Sequence, residues 1–357
     1  MHRYYNIQVL RAVAATAVLL FHASEKTHER IPGPSLIYDL FTDRFALGVP
    51  LFFAISGFVL SHAIQRESIP RFVASRVLRI YPAYWLAIAL SLVAFALLPG
   101  VSPAIAVSWS ALALLPRGPQ PTPLGGIEWT LVYEMFFYAL FALVWLARSE
   151  RAVLAFCVGW LALILAASAF APGRYTVSAP DGLRIALSAY NLPFIFGMLA
   201  YLAHGRIARK YLPLLALGFV ALAVATEYVR YVKELQYVVV GLACGLLLTV
   251  VGALARKRDL AARNPLVRIG DYSYGLYLVH FNAVVAIVGL VDPARFSAAT
   301  LFAAAFAGAF AIGCAFGLIE SRLYAYARRR LLGVRAPRDD AAVKLMPARS
   351  QRGILGE

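Results

Sequence analysis

The sequence predicts an all-α membrane protein, a polytopic bundle of about ten transmembrane helices. Three observations carry this. Of 357 residues, 61% are A, V, I, L, M, F, W, Y or C, and only 15% are charged. A soluble domain carries about 45–50% apolar and about 25% charged residues. The mean hydropathy is +0.72. The apolar residues also fall in long unbroken runs, which suit helices of roughly 20 residues. A membrane barrel would need segments of about ten residues that alternate apolar and polar. Soluble, disordered, collagenous and disulfide-scaffold classes are excluded together.

Ten apolar runs occupy approximately residues 7–24, 46–64, 79–98, 129–147, 152–171, 184–203, 211–227, 235–254, 270–291 and 297–319. Residues 101–116 form a weaker eleventh run that closes at Pro116. Charge settles its status. With ten spans and a cytoplasmic N-terminus, most of the 34 lysines and arginines fall in inner segments. If 101–116 also spanned, every later loop would flip and its positive charge would move outside, against the positive-inside rule. Residues 101–116 are therefore expected to be re-entrant or interfacial on the outer side, with both termini cytoplasmic in the inner membrane.

The net charge of +16 would suggest nucleic-acid binding in a soluble protein. Here it reads as basic inner loops, and no nucleic-acid partner is expected. Arg328, Arg329 and Arg330 make the tail basic, which suits contact with anionic lipid headgroups. The expected division is a membrane domain over 1–320 and a basic cytoplasmic tail over 321–357. Arg11 interrupts the first run, so a cleaved signal peptide is not expected. Cys157, Cys244 and Cys314 each sit inside an apolar run with no CxxC pair, and are read as packing residues; no metal is implied.

Ionisable residues within spans are costly and mark functional sites. Arg11 and His22 share the first helix. Eleven residues give a rise of roughly 16 Å and bring both to one face, about 20° past three full turns. Arg76 and Arg79 form Arg-x-x-Arg at an inner helix mouth, where two guanidiniums can clamp a phosphate; simple topology determinants would look the same. Glu134 lies in the outer half of the fourth run, at about the depth of His22, and His22 is its expected partner. Glu128 is expected to be solvated at the interface. His280 either lines a substrate cavity or is a satisfied core histidine. Asn191 and Pro193 mark a kink. Gly48, Ser56 and Gly57 offer small residues for close helix packing.

In sequence order these pieces are Arg11-x(10)-His22, then Gly48-Val49-Pro50-Leu51-Phe52-Phe53-x-x-Ser56-Gly57-Phe58. Arg76-x-x-Arg79 follows with Tyr81-Pro82, then Trp129-Thr130-Leu131-x-x-Glu134-x-x-x-Tyr138, and Ser273-Tyr274-x-x-Tyr277-Leu278-x-His280. Together they resemble the acyltransferase-3 family of integral membrane O-acyltransferases, over about residues 5–320. Two positions depart from the family pattern: Pro50 stands where many relatives have an acidic residue, and Met135 where many have a second carboxylate. Many relatives also carry an extracytoplasmic hydrolase-like domain; without one, the membrane domain is expected to transfer the acyl group by itself.

The resemblance implies transfer of an acyl group, usually acetyl, from cytoplasmic acyl-CoA to a sugar hydroxyl. The acceptor class is a surface polysaccharide, a lipid-linked glycan or another glycoside. It also implies that His22 is catalytic. Glu134 is expected to orient it, Arg11, Arg76 and Arg79 to bind the CoA phosphates, and Trp129, Tyr138 and His280 to contact substrate. The rise from Arg11 to His22 matches the extended length of a pantetheine arm in order of magnitude. General-base catalysis and an acyl-histidine relay both remain open. The competing class is a transporter or flippase of a lipid-linked sugar, which also needs intramembrane charge, though the paired halves common in transporters are not visible. A scaffold that docks through the basic tail is the third.

Overall fold

The computed structural model describes residues 4–41, 45, 47–63, 68–98, 107–119, 122–147, 149–255, 260 and 263–333. Among them, each of the ten apolar runs contains a helix. These are α1 (Tyr5–Arg30), α2 (Gly48–Ala63), α3 (Ile69–Leu97), α4 (Trp129–Val144), α5 (Glu150–Phe170), α6 (Leu192–His204), α7 (Leu212–Val229), α8 (Lys233–Ala255), α9 (Pro265–Leu290) and α10 (Ala298–Leu332). Eight are long and apolar enough to cross a membrane. The exceptions are α2, of 16 residues, and α6, of 13. At about 1.5 Å per residue they reach roughly 24 and 20 Å, short of a hydrocarbon core of about 30 Å.

These two short helices pack on each other. A methyl group at Gly57 would overlap the Phe194 carbonyl, and one at Gly197 the Ala54 carbonyl. Reciprocal glycines let the backbones approach, because lipid offers no hydrophobic drive between spans and close packing must supply the attraction. Gly48 meets the Ala14 carbonyl on α1 in the same way, so the expected packing role of Gly48 and Gly57 is what their surroundings require. The run 184–203 is not one helix. It breaks at Ser188, whose backbone is extended (ψ 136°). Asn191 Nδ2 then donates to the carbonyls of Ile185 (2.6 Å) and Ser188 (3.0 Å). Pro193 sits in the first turn of α6, where its missing N–H costs nothing.

Centre and rim are distinct. Of the most apolar stretch of α9, 61% of residues are buried; for the helix that ends in α7 the figure is 11%. A helix that is apolar all round yet unburied belongs against lipid. α9 packs on α1 and α10, α1 reaches α2 and α8, and α3 leans on α9, α10 and α4. α10 runs without a break from Ala298 to Leu332, through the expected boundary at 320; the tail beyond Gly333 lies outside the described residues.

Of the eleventh run, residues 101–106 lie outside the described residues. The remainder forms one helical turn, Trp109–Leu112. So short a turn cannot satisfy its own C-terminal carbonyls. Three donors on α3 do so: Tyr84 Oη to the Ala111 carbonyl (2.9 Å), Trp85 Nε1 to Leu112 (3.1 Å) and Tyr81 Oη to Ala113 (2.9 Å). The segment lies along α3, held by aromatic hydrogen-bond donors.

Candidate active site

One cavity sits among α1, α2, α3, α4 and α9, with about 830 Å³ of empty space that is partly open to solvent. Arg11, Arg76, Arg79, Glu134, Tyr138, Ser273, Tyr274 and Tyr277 supply its polar and aromatic lining; Phe52, Phe53 and Ile80 contribute apolar wall. Five helices and all five sequence motifs thus converge on one space.

The arginines differ in how they are held. Arg11 Nε donates to Ser273 Oγ on α9 (3.2 Å). Arg79 Nη1 pairs with Glu320 Oε1 on α10 (2.5 Å), and the Glu320 side chain is 1% exposed. Tyr274 and Tyr324 flank the same guanidinium, at 5.2 and 5.1 Å from their ring centres. Arg76 lies over Phe72 (5.1 Å) and Tyr138 (5.7 Å), and its buried Nε has no hydrogen-bond partner. Buried N–H donors seldom go unpaired. The Arg76 side chain is also one of those that line the cavity.

Glu134 was expected to meet His22. Its hydrogen bond instead comes from Tyr138 Oη, one turn along the same helix. The carboxylate on His22 is Glu25, whose Oε2 lies 3.3 Å from His22 Nδ1 at i+3 on α1. The reason is local. Residues three apart share a helix face, so His22 finds its carboxylate within its own turn, and Glu134 stays among the cavity cations. The His22 side chain is 18% exposed. Its ring centre lies 5.3 Å from that of His280 and 5.0 Å from that of Phe281.

Neither His22 nor His280 lines this cavity; Tyr277, which does, stands between it and the two imidazoles. The His280 ring lies 5.3 Å from that of Tyr277 and equally far from that of His22. Tyr277 is fixed in turn by a hydrogen bond from Thr130 Oγ1 (2.7 Å) and one to the Ile127 carbonyl (3.2 Å). The line Arg11, Tyr277, His280, His22 therefore runs along α1 and α9 from the guanidinium end to the imidazoles. Trp129 is not in this cavity. It packs on Phe53, Tyr133 and Tyr190 and borders a second cleft with Tyr84, Arg117 and Glu128.

Glu128 is not solvated, as its interfacial position suggested. It is 3% exposed. Its carboxylate accepts from Thr122 Oγ1 (2.6 Å), Gly126 N (3.1 Å) and the Leu124 amide. Burial pushes its pKa up, and those donors pull it back. The carboxylate thereby fastens the loop 122–128. Gly125 in that loop has φ +76° and seats directly on Phe281, the residue whose ring lies 5.0 Å from that of His22.

Sequence reasoning missed Glu25, Glu320 and Ser273. Glu25 stood in plain view as His22-x-x-Glu25, one turn apart. Glu320 carried the signal of a carboxylate at the end of an apolar run. Ser273 was noted only as part of a motif.

A family model described as an acyltransferase domain (acyltransferase-3) matches residues 4–319. The exopolysaccharide production protein ExoZ of Rhizobium meliloti (strain 1021) is 31% identical over 335 residues, covering 87% of this chain and 96% of that protein. The acyltransferase MdmB of Streptomyces mycarofaciens is 26% identical over 309 residues, covering 77% of each. No solved structure matches the chain. The transporter and scaffold readings fall away, because this multi-pass helical chain belongs to the acyltransferase-3 family of integral membrane O-acyltransferases.

Proposed function

We propose that the protein moves an acyl group, acetyl in the first instance, from cytoplasmic acyl-CoA to a sugar hydroxyl. The acceptor is a surface polysaccharide, a lipid-linked glycan or another glycoside. The relative whose name concerns exopolysaccharide production, aligned over nearly its full length, favours the polysaccharide. The protein sits in the inner membrane with both termini cytoplasmic, so the arginine end faces the cytoplasm, where acyl-CoA is made.

The observation that carries this reading is the single axis with cations at one end and an imidazole at the other. Arg11, Arg76 and Arg79 line one cavity, and Tyr277 and His280 connect it to His22. CoA is polyanionic at its nucleotide and thin along its pantetheine arm. Arg76, with an unpaired buried nitrogen, is the readiest phosphate donor; Arg11 lines the same cavity, and Arg79 is already partly balanced by Glu320. Glu134 then serves the donor end, where it holds Tyr138 and offsets the guanidinium charge. Glu25 takes the orienting role once assigned to Glu134: as acceptor from His22 Nδ1–H it leaves the lone pair on Nε2, the form a base or nucleophile needs.

The test is acetyl-CoA turnover by the full chain in nanodiscs. Free CoA is followed with and without extracted envelope polysaccharide, in wild type and His22→Ala. Polysaccharide-stimulated release that His22→Ala lowers about 10²- to 10⁴-fold, the range of a general base, supports the assignment. Full activity in His22→Ala overturns it. Release from a longer acyl-CoA but not from acetyl-CoA would replace acetyl and keep the rest.

A further inference from the structure

We propose that His280 is a second catalytic imidazole, which takes the proton of the acceptor hydroxyl while His22 carries the acyl group. The proposal rests on the acyl-CoA reading above and goes beyond it, because it separates two chemical duties between two histidines.

The geometry is as follows. His280 is 1% exposed. Its Nδ1 lies 2.6 Å from the Tyr277 carbonyl. A carbonyl only accepts, so Nδ1 carries the hydrogen and the lone pair is on Nε2. That Nε2 is buried and has no hydrogen-bond partner. A satisfied core histidine would have used both nitrogens, since a buried polar atom left unpaired is destabilising. His22 is in the matching state: its Nδ1 is taken by Glu25, which leaves Nε2 as its lone-pair nitrogen. Two imidazoles thus stand 5.3 Å apart between ring centres, inclined by 37°. Each is anchored through Nδ1, and each has Nε2 unclaimed.

One base would suffice for direct transfer, and a second buried base would then carry a cost without a use. A relay needs both. In the first step the lone pair of His22 Nε2 attacks the thioester carbonyl carbon. The N–C bond forms, the C–S bond breaks, and the electron pair leaves on the CoA sulfur. In the second step the acceptor hydroxyl oxygen attacks the acyl carbon. The O–C bond forms, the N–C bond breaks and restores neutral His22, and the hydroxyl proton passes to His280 Nε2. CoA has left after the first step, its thiolate taking a proton from solvent, and His280 afterwards gives the acceptor's proton back to solvent. The sum is one ester and one thiol from one thioester and one alcohol.

The experiment separates the two half-reactions in the full chain in nanodiscs. Exchange of labelled CoA into acetyl-CoA, without acceptor, reads the first step. Transfer to extracted envelope polysaccharide, with methyl β-glucopyranoside as a small surrogate, reads both. His280→Asn keeps an N–H near the Tyr277 carbonyl and removes the basic Nε2. His280→Gln offers an uncharged oxygen near the Nε2 position. Acetyl-CoA binding and monodisperse elution confirm that each variant is folded.

The expected result is exchange in wild type and none in His22→Ala. In both His280 variants transfer falls by about 10² or more, at least tenfold further than exchange falls. Three results would overturn the proposal: transfer within a few-fold of wild type in either His280 variant, transfer and exchange lost in equal measure, or wild-type transfer without exchange. A wild type that released no CoA from any acyl-CoA would remove the donor reading itself, and it would show before any variant was made.

Discussion

The arginine-lined cavity and the histidine pair beyond Tyr277 are built on opposite plans. At the arginine end the charges are held across the bundle. Arg11 reaches from α1 to Ser273 on α9, and Arg79 from α3 to Glu320 on α10. At the histidine end the polar contacts are local. His22 takes Glu25 from its own turn, and His280 takes the carbonyl of Tyr277 from its own. Long-range pairing ties helices into a cavity of fixed shape. Local pairing sets a tautomer and leaves the far nitrogen unclaimed. The first plan suits binding and the second suits chemistry, so damage to the two ends should have different signatures.

The largest effect on the folded state belongs to the arginine end. Arg79→Ala leaves Glu320 buried without its partner, which costs about 3–5 kcal/mol. Thermal unfolding in detergent should show a marked fall in Tm. Arg79→Ala/Glu320→Ala should recover much of it, because no uncompensated charge remains. A double variant less stable than the single one would mean that Glu320 packs rather than pairs.

Next comes Glu25→Gln. It keeps the shape and removes the charge that favours the His22 Nδ1–H form, a hydrogen bond to a charged group being worth about 1.5–3 kcal/mol. The expected loss is about ten- to a hundredfold in kcat, with donor Kd unchanged and unfolding little altered. A change in donor Kd instead would place Glu25 in the binding machinery and blur the division between the ends.

The smallest effect is at the loop that packs on Phe281, beside the histidines. Gly125→Ala puts a methyl group into the Phe281 ring at φ +76°, an overpacking cost of about 1–3 kcal/mol. It should raise the acceptor KM and leave donor Kd alone. Equal shifts in both would show that the loop does not act on the acceptor side.

These contrasts also explain what the sequence could disclose. The spans were legible because each helix must bury its backbone hydrogen bonds inside lipid, which demands long apolar runs. α6 falls short of its run because the chain breaks at Ser188, where Asn191 takes up the freed carbonyls, and no period in the apolar pattern marks that break. Arg11, Arg76, Arg79 and Glu134 stood out as candidates because charge in a span is costly wherever it sits, Tyr138 only through the motif it closes, and all five line one cavity. Their partners were not legible. Depth along the membrane suggested that Glu134 would meet His22, but depth fixes only one coordinate, and rotation about α4 turns Glu134 toward Tyr138 and the cavity. Glu128 shows the same limit, since an interfacial carboxylate reads as solvated until the loop it fastens is folded around it.

The most direct measurement of the central claim is acetyl-CoA titration of His22→Ala and Arg76→Ala in nanodiscs, with turnover measured on the same samples. The account predicts that His22→Ala binds donor with wild-type Kd and does not turn over. It predicts that Arg76→Ala binds about tenfold or more weaker, from loss of a charged hydrogen bond of about 1.5–3 kcal/mol, yet still turns over at saturating donor. Lost binding in His22→Ala, or wild-type binding in Arg76→Ala, would contradict it.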